Sequence, residues 1–209
     1  MIEDRFDASV PVHKDRGPLK QMHSGHMVYI LDLRPEDVDP SDIAHHLAIF
    51  NRWTGGTRMP MSVAQHSLLV CEEAMAMADH PLTPIYALLH DAAEAYMGDI
   101  CRPVKAALAQ LAPGVLEGIE AGIDAAIFTR FGLPPVMPEA IAALVKLADN
   151  IVTSTEGRDM LPQTLPGEPG ADWRVYMPEP RRERIEPMYW RVAKQEFRRR
   201  LDELLEEVR

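Results

Sequence analysis

Apolar residues recur every three or four positions along most of the chain, a spacing that predicts amphipathic helices. The first predicted helix covers residues 42–50 and has Ser41 as its N-cap. The second begins after Ser62 and carries His66 on its apolar face. Residues 82–96 are apolar on almost every side, which is typical of a helix at the centre of a bundle.

Four further helices are predicted after this central one, at residues 102–111, 115–131, 138–160 and 182–208. Residues 161–181 are rich in Pro and Gly, which indicates a surface loop. Residues 1–40 form an arm in which a β-like run at residues 27–33 could make a small hairpin. The pattern therefore predicts a single all-α domain over residues 1–209, with its helical core at residues 41–160.

The last predicted helix has an apolar stripe made of Ile185, Tyr189, Val192, Leu201, Leu204 and Val208. Such a stripe can close the core of one chain or form the interface of a homodimer, and the sequence leaves both open. The basic run at residues 198–200 falls on the outward side of this helix, which indicates a solvated face.

The composition is globular: 46% of the 209 residues are hydrophobic and 26% are charged. A net charge of −10 argues against a broad nucleic-acid or anionic-membrane surface, because such surfaces need Lys and Arg. A charged N-terminus and the lack of a long apolar run predict a cytoplasmic protein that binds no membrane. Cys71 and Cys101 stand in unrelated contexts and are expected to be reduced thiols.

The central helix ends in a group of ionisable residues that needs an explanation. His90, Asp91 and Glu94 lie within one helical turn and so face one side of it. Burying such a group costs free energy unless a cation or a partner compensates the charge. A divalent metal ion is the natural compensator.

Two further residues could complete a ligand set from neighbouring helices. His66 lies on the apolar face of the second helix, and Asp149 lies on the apolar helix 138–160. Imidazole and carboxylate ligands together suit Mn, Fe, Co, Ni or Zn, and helical bundles commonly hold metals in their cores. Taken alone, a buried His such as His66 is more often a hydrogen-bonded core residue than a ligand.

The order of these residues resembles the signature of the HD-domain metal-dependent phosphohydrolases, and the bacterial 5′-deoxynucleotidase branch in particular. Features before residue 40 and after residue 162 are more similar to phage-associated HD hydrolases. The resemblance covers about residues 41–160 and rests on the segments Val63-Ala64-Gln65-His66-Ser67, Leu89-His90-Asp91-Ala92-Ala93-Glu94, Gly98-Asp99-Ile100, Pro103-Val104-Lys105 and Lys146-Leu147-Ala148-Asp149.

The resemblance implies an HD-domain helical bundle that binds one divalent metal ion through His66, His90, Asp91 and Asp149. It also implies that Glu94 and Asp99 are catalytic carboxylates, which transfer protons or orient water. The metal could be Mn, Co, Fe, Zn or Ni, because such a ligand set accepts several ions.

Asn51-Arg52-Trp53 resembles an Arg-Trp pair of the same branch, in which the Arg contacts the phosphate and the ring packs on the sugar. Arg52 would then neutralise charge on the phosphoryl group, a task suited to a guanidinium. Arg58 and Lys105 are further candidates for substrate binding, with an exposed surface cation as the alternative for each.

The implied activity is the removal of phosphate from deoxynucleoside 5′-monophosphates, so the expected partner is a small phosphorylated substrate rather than a nucleic acid. The first alternative is a deoxynucleoside triphosphate hydrolase, which more local cations would favour. The second is a nucleotide-binding regulator without turnover. Glu94 and Asp99 favour an enzyme, since a pure binder needs no proton-transfer groups beside a metal.

Overall fold

A computed structural model describes residues 12–77 and 80–208. The first part of the predicted arm, residues 1–11, lies outside the described residues. The structure is mostly helical, as predicted, with a small antiparallel sheet before the helices. The helices are α1 Pro40–Ile49, α2 Val63–Met77, α3 Thr83–Leu89, α4 Glu94–Met97, α5 Arg102–Leu111, α6 Val115–Arg130, α7 Glu139–Asp159 and α8 Trp190–Glu207.

The core lies where α2 packs against α3 and α7, with α1 and α8 closing the other side. The largest fully buried side chains of this core come from α1, α3, α6 and α8: Tyr86, Phe197, Ile43, Leu47, Ile85, Leu88, Leu89, Ile123, Ile127, Leu201 and Leu204. Within the described ranges, no helix is both long and apolar enough to cross a membrane. Cys71 and Cys101 are free thiols, as expected.

The arm forms a three-stranded antiparallel sheet of β1 Val12–His13, β2 Gly17–Gln21 and β3 Met27–Tyr29. The sheet is attached to the helices by Lys20, whose Nζ donates to the carbonyls of Ala95 (2.9 Å) and Tyr96 (2.8 Å). These carbonyls stand at the end of α4, where a helix has unsatisfied acceptors.

The strand predicted over residues 27–33 ends at Tyr29, because residues 30–32 form a turn. The predicted cap of the first helix is also wrong. Asp39 is the N-cap, and its side chain accepts a hydrogen bond from the backbone N–H of Ser41. Pro40 then takes the first helical position, where its missing N–H costs nothing.

The central helix predicted over residues 82–96 is interrupted at residues 90–93, which form turns between α3 and α4. Backbone bonds there join residues three apart, as from the N–H of Ala92 to the carbonyl of Leu89 (2.9 Å). Such bonds tighten the chain relative to an α-helix. The candidate metal ligands His90 and Asp91 therefore lie on a tightened turn rather than in a regular helix.

The last helix begins at Trp190 and not near residue 182. Pro187 explains the difference, because proline lacks an N–H and disfavours helical backbone in the residue before it. The buried stripe shifts accordingly: Tyr189 and Val192 are exposed, whereas Ala193, Phe197, Leu201 and Leu204 are buried. Ile185 is buried in the extended segment, against Met61 and Met160.

Candidate metal centre

The turn between α3 and α4 sets the orientation of His90. Its Nδ1 lies 2.8 Å from the carbonyl oxygen of Ala87, one turn earlier. A carbonyl can only accept, so Nδ1 carries the proton and Nε2 is left with a free lone pair. That lone pair points toward α2.

His66 reaches the same place from α2 and has no exposed surface. Its Nε2 lies 3.3 Å from Nε2 of His90 and 3.5 Å from Oδ2 of Asp91. The same Asp91 oxygen is 3.3 Å from Nε2 of His90. One ligand atom from each of the three residues lies within 4.8 Å of the others, so this cluster could hold a metal ion.

The donor set fits a metal ion better than a network of hydrogen bonds alone. Nδ1 of His66 lies 2.7 Å from the carboxylate of Glu156, as Nδ1 of His90 lies against a carbonyl. When both rings are neutral and both Nδ1 atoms are protonated toward acceptors, the two Nε2 atoms face each other as acceptors. A cation between them removes this repulsion, and histidine ligands of metals usually donate their other N–H in this way.

Asp149 brings a second carboxylate to the cluster from α7. Its Oδ1 lies 3.4 Å from Nε2 of His66 and accepts a hydrogen bond from Thr153 (3.1 Å). Its Oδ2 accepts from Arg102 and Lys146, each at 2.9 Å. One oxygen of Asp149 thus faces the histidines and the other faces two exposed cations.

Without a metal, the carboxylates next to the histidines are held in their charged form. Burial opposes ionisation of Asp149, but the hydrogen bond and charge of His66 hold its pKa far below the usual range. The pKa of Asp91 is also lowered, by His90 and His66 against the effect of burial. Burial and Arg52 lower the pKa of His66, yet Glu156 and Asp149 outweigh them and raise it to about 9. A divalent cation would take the place of that proton.

Glu94 and Asp99 behave in the opposite way. Burial, followed by the charges of Asp91 and Asp99, raises the pKa of Glu94 to about 10. Burial also raises the pKa of Asp99. Glu94 Oε2 and Asp99 Oδ2 are buried and have no hydrogen-bond partner among the described residues. Neighbouring carboxyl groups with separated pKa values are the usual arrangement of acid–base sites.

Arg52 and Trp53 lie beside the cluster in a 3-10 turn between α1 and α2. Arg52 Nη1 is 3.5 Å from Oδ2 of Asp91, and its Nε is 3.4 Å from Glu156. Trp53 and Thr54 have positive φ angles of 58° and 53°, which are unfavourable for residues with a side chain. The indole N–H of Trp53 donates to Glu156 (2.9 Å) and helps to hold this backbone in place.

One pocket opens onto these groups, and most of the residues singled out from the sequence line it. Lys105 is among them, with its Nζ 2.7 Å from Glu120. Arg58 lies outside this pocket and donates to the carbonyl of Asp159 (2.8 Å). The predicted residues that line the pocket are Arg52, Trp53, Asp91, Glu94, Asp99, Lys105 and Asp149.

The sequence reasoning missed Glu156, Arg102 and Lys146. Glu156 follows Asp149 by seven residues, which is two helical turns on the same face of α7. An acidic residue repeated on the buried face of a helix is a signal that could have been read. Arg102 and Lys146 gave no such signal, because exposed cations on helix surfaces are common.

The fold and the cluster together define a mostly helical protein with a His/Asp group, buried at His66 and partly buried at His90 and Asp91, that could hold a metal ion. No family model matches the sequence. The chain is 40% identical over 146 residues to the uncharacterized protein RCAP_rcc00048 of Rhodobacter capsulatus, covering 68% of this chain and 72% of that protein. It is 37% identical over 137 residues to the uncharacterized protein YfdR of Escherichia coli K12, covering 66% and 69%. The chain belongs to the family of these two proteins, whose names give no activity.

Proposed function

We propose that this protein is a metal-dependent phosphohydrolase of the HD-domain type that acts on nucleotides. The observation that carries the proposal is that candidate metal ligands and carboxyl groups with raised pKa values lie side by side at one pocket. His66, His90 and Asp91 form a cluster fit for a metal, and Glu94 and Asp99 stand beside it with raised pKa values. Phosphoester hydrolysis needs both a centre of positive charge and an acid for the leaving oxygen.

In this proposal, His66 and His90 bind the ion through Nε2, and Asp91 and Asp149 bind it through carboxylate oxygens. The set suits Mn, Co, Fe, Zn or Ni. When bound, such an ion lowers the pKa of a coordinated water toward neutrality and polarises a phosphoryl oxygen.

The protein's own groups then carry the remaining steps. Arg52 supplies a fixed positive charge, and its pKa is raised because Glu156, Asp91 and Asp149 outweigh the effect of burial. It would bind phosphoryl oxygens through its fork of N–H donors. Hydrolysis joins the water oxygen to phosphorus and breaks the bond from phosphorus to the leaving oxygen. Glu94, whose raised pKa of about 10 keeps it protonated near neutral pH, or Asp99 would give that oxygen its proton, and the carboxylate left behind can take the proton of the attacking water.

The preferred substrate class is the deoxynucleoside 5′-monophosphates, which rests on the resemblance of residues 41–160 to the 5′-deoxynucleotidases. Arg102 and Lys146 favour a second candidate, a deoxynucleoside triphosphate hydrolase. Their side chains are 52% and 61% exposed at the pocket, where they could meet further phosphates. Additional phosphates carry additional charge and need such cations.

The test is product analysis on a panel of deoxy- and ribonucleoside mono- and triphosphates, after chelation and with each metal added back. Metal-dependent release of inorganic phosphate from deoxynucleoside monophosphates is expected. Release of triphosphate would favour the second candidate. No turnover with metal bound would contradict both and indicate a nucleotide-binding regulator.

A pair of matched variants ties any activity to this site. Asp91→Asn removes a proposed ligand, and we expect it to abolish metal-dependent turnover. Asp202→Asn makes the same chemical change on the exposed side of α8 and should leave turnover unchanged. Equal activity of both variants would show that the activity arises elsewhere.

A further inference from the structure

Glu156 on α7 is a carboxylate with no exposed surface, surrounded by donors from three separate residues. Oε1 lies 2.7 Å from Nδ1 of His66. Oε2 accepts from the indole N–H of Trp53 at 2.9 Å and lies 3.4 Å from Nε of Arg52. The Arg52 and His66 charges keep its pKa low in spite of burial.

This environment requires an acceptor on both oxygens. A carboxylate offers acceptors alone, whereas a glutamine offers one acceptor and one donor. A glutamine at position 156 would therefore turn its NH2 group toward His66 or toward Trp53 and Arg52. Either orientation breaks one half of the arrangement.

The half that faces His66 bears directly on metal binding. An acceptor at Nδ1 keeps the proton on that nitrogen and leaves Nε2 free for the ion. A donor at Nδ1 would favour the proton on Nε2, the atom that faces His90 at 3.3 Å. Glu156 is thus placed to select the histidine tautomer that can bind.

The other oxygen of Glu156, Oε2, connects His66 to Arg52 and Trp53, the residues proposed to bind the substrate. Trp53 also contacts Trp173, with the two ring centroids 5.7 Å apart. Trp173 packs so closely on α7 that a Cβ on Gly157 would come within 2.8 Å of its ring. The Trp53 ring is thus held by contacts with both Glu156 and Trp173, and Arg52 precedes it in the chain.

We propose that Glu156 is a positioning residue that fixes His66 for metal binding through Nε2 and connects this ligand to Arg52 and Trp53. The inference rests on the proposed function in assuming a metal at the cluster. It adds a residue outside the ligand set that controls metal affinity without touching the ion.

The test is a titration of chelated protein with Co²⁺, followed by the visible absorption of the bound ion, for wild type and Glu156→Gln. Loss of a group that orients a ligand usually weakens metal binding by roughly 10- to 100-fold, and we expect a change in that range. The band shape should also change as His66 shifts. Affinity within about twofold of wild type would overturn the proposal, since it lies far below that range.

Two control variants separate positioning from general damage. Glu139→Gln makes the same change at an exposed position in the first turn of α7 and should bind Co²⁺ like wild type. Trp53→Phe removes one donor to Glu156 but leaves its contact with His66. Its affinity should therefore fall less than that of Glu156→Gln, and an equal or larger fall would assign the control of affinity to Trp53 instead.

If Glu156→Gln does not fold, the wild-type protein still tests the inference. Nitrogen-15 spectra of the histidines in Zn²⁺-loaded protein should show His66 protonated at Nδ1 and bound through Nε2; the opposite arrangement would refute the inference. Wild-type protein that binds Co²⁺ but hydrolyses no nucleotide would refute the proposed function. The role of Glu156 would then be decided by the Co²⁺ titration alone. A wild type that binds no Co²⁺ or Zn²⁺ would overturn the inference itself.

Discussion

The buried cluster and the outer face of α8 contain the same kinds of charged side chains in different surroundings. On α8, Arg198 pairs with Asp202 at 3.0 Å, and both side chains are at least 40% exposed. In the cluster, His66 and Glu156 pair at 2.7 Å with no exposed surface. The contacts are of similar length, so distance alone does not separate the two regions.

Desolvation does separate them. An exposed pair exchanges water for a partner and back at little cost, so it contributes little to stability. A buried ionised group has no water to return to, and the loss of its partner leaves an uncompensated charge. Groups in the cluster are consequently coupled to one another, whereas those on α8 act almost independently.

The largest expected effect comes from removing one member of the buried pair. His66→Ala leaves the Glu156 carboxylate without its partner at 2.7 Å, and in chelated protein we expect unfolding to require about 3 to 5 kcal/mol less free energy. Denaturant titration in EDTA measures this. His26→Ala, at an exposed histidine, serves as the control. A loss below about 1 kcal/mol would place the cluster among ordinary surface pairs.

Much of this contrast could be read from the sequence, because helices α5, α6 and α7 follow clear apolar periodicity and appear close to their predicted bounds. Periodicity could not show the turn at residues 90–93, since apolar residues continue both before it, at Leu88 and Leu89, and after it, at Ala95 and Tyr96. Apolar periodicity also placed the start of the last helix before Pro187, whereas α8 begins after this proline, at Trp190.

The candidate site divides in the same way. His90 and Asp91 stood out because ionisable residues at the end of an apolar helix need compensation. Glu156 could have been noticed from its place on the buried face of α7, but its role could not be assigned, because that role depends on contacts with residues about a hundred positions earlier, such as Arg52 (a separation of 104). Long-range contacts of this kind follow from packing and leave no local pattern.

Asp124 on α6 is intermediate between the residues of the cluster and those on the outer face of α8. Its Oδ1 is buried and lacks a partner among the described residues. Burial, then the charges of Glu120 and Asp91, raises its pKa to about 7 from an ordinary value of 3.8. Between these two values the folded protein binds more protons than the unfolded chain, so this group's contribution to stability falls as pH rises.

Asp124→Asn should remove that pH dependence. The free energy of unfolding of the variant should match that of wild type below about pH 4 and exceed it above about pH 7, by about 4 kcal/mol. Denaturant titrations of both chelated proteins across this range measure the difference. If the difference in free energy of unfolding between the variant and wild type stays constant with pH, Asp124 has the same pKa in the folded and unfolded chains.

The smallest effect is expected on α8, where Asp202→Asn breaks the exposed pair with Arg198. The basic residue precedes the acidic one here, and the favourable orientation of a pair four residues apart is the reverse. We expect a loss of at most about 0.5 kcal/mol in the free energy of unfolding, decreasing further with added salt. Denaturant titration at low and high salt measures it. A loss of several kcal/mol that resists salt would show that the charges of α8 are coupled as tightly as those of the cluster, and exposure would then fail as the property that distinguishes the two regions.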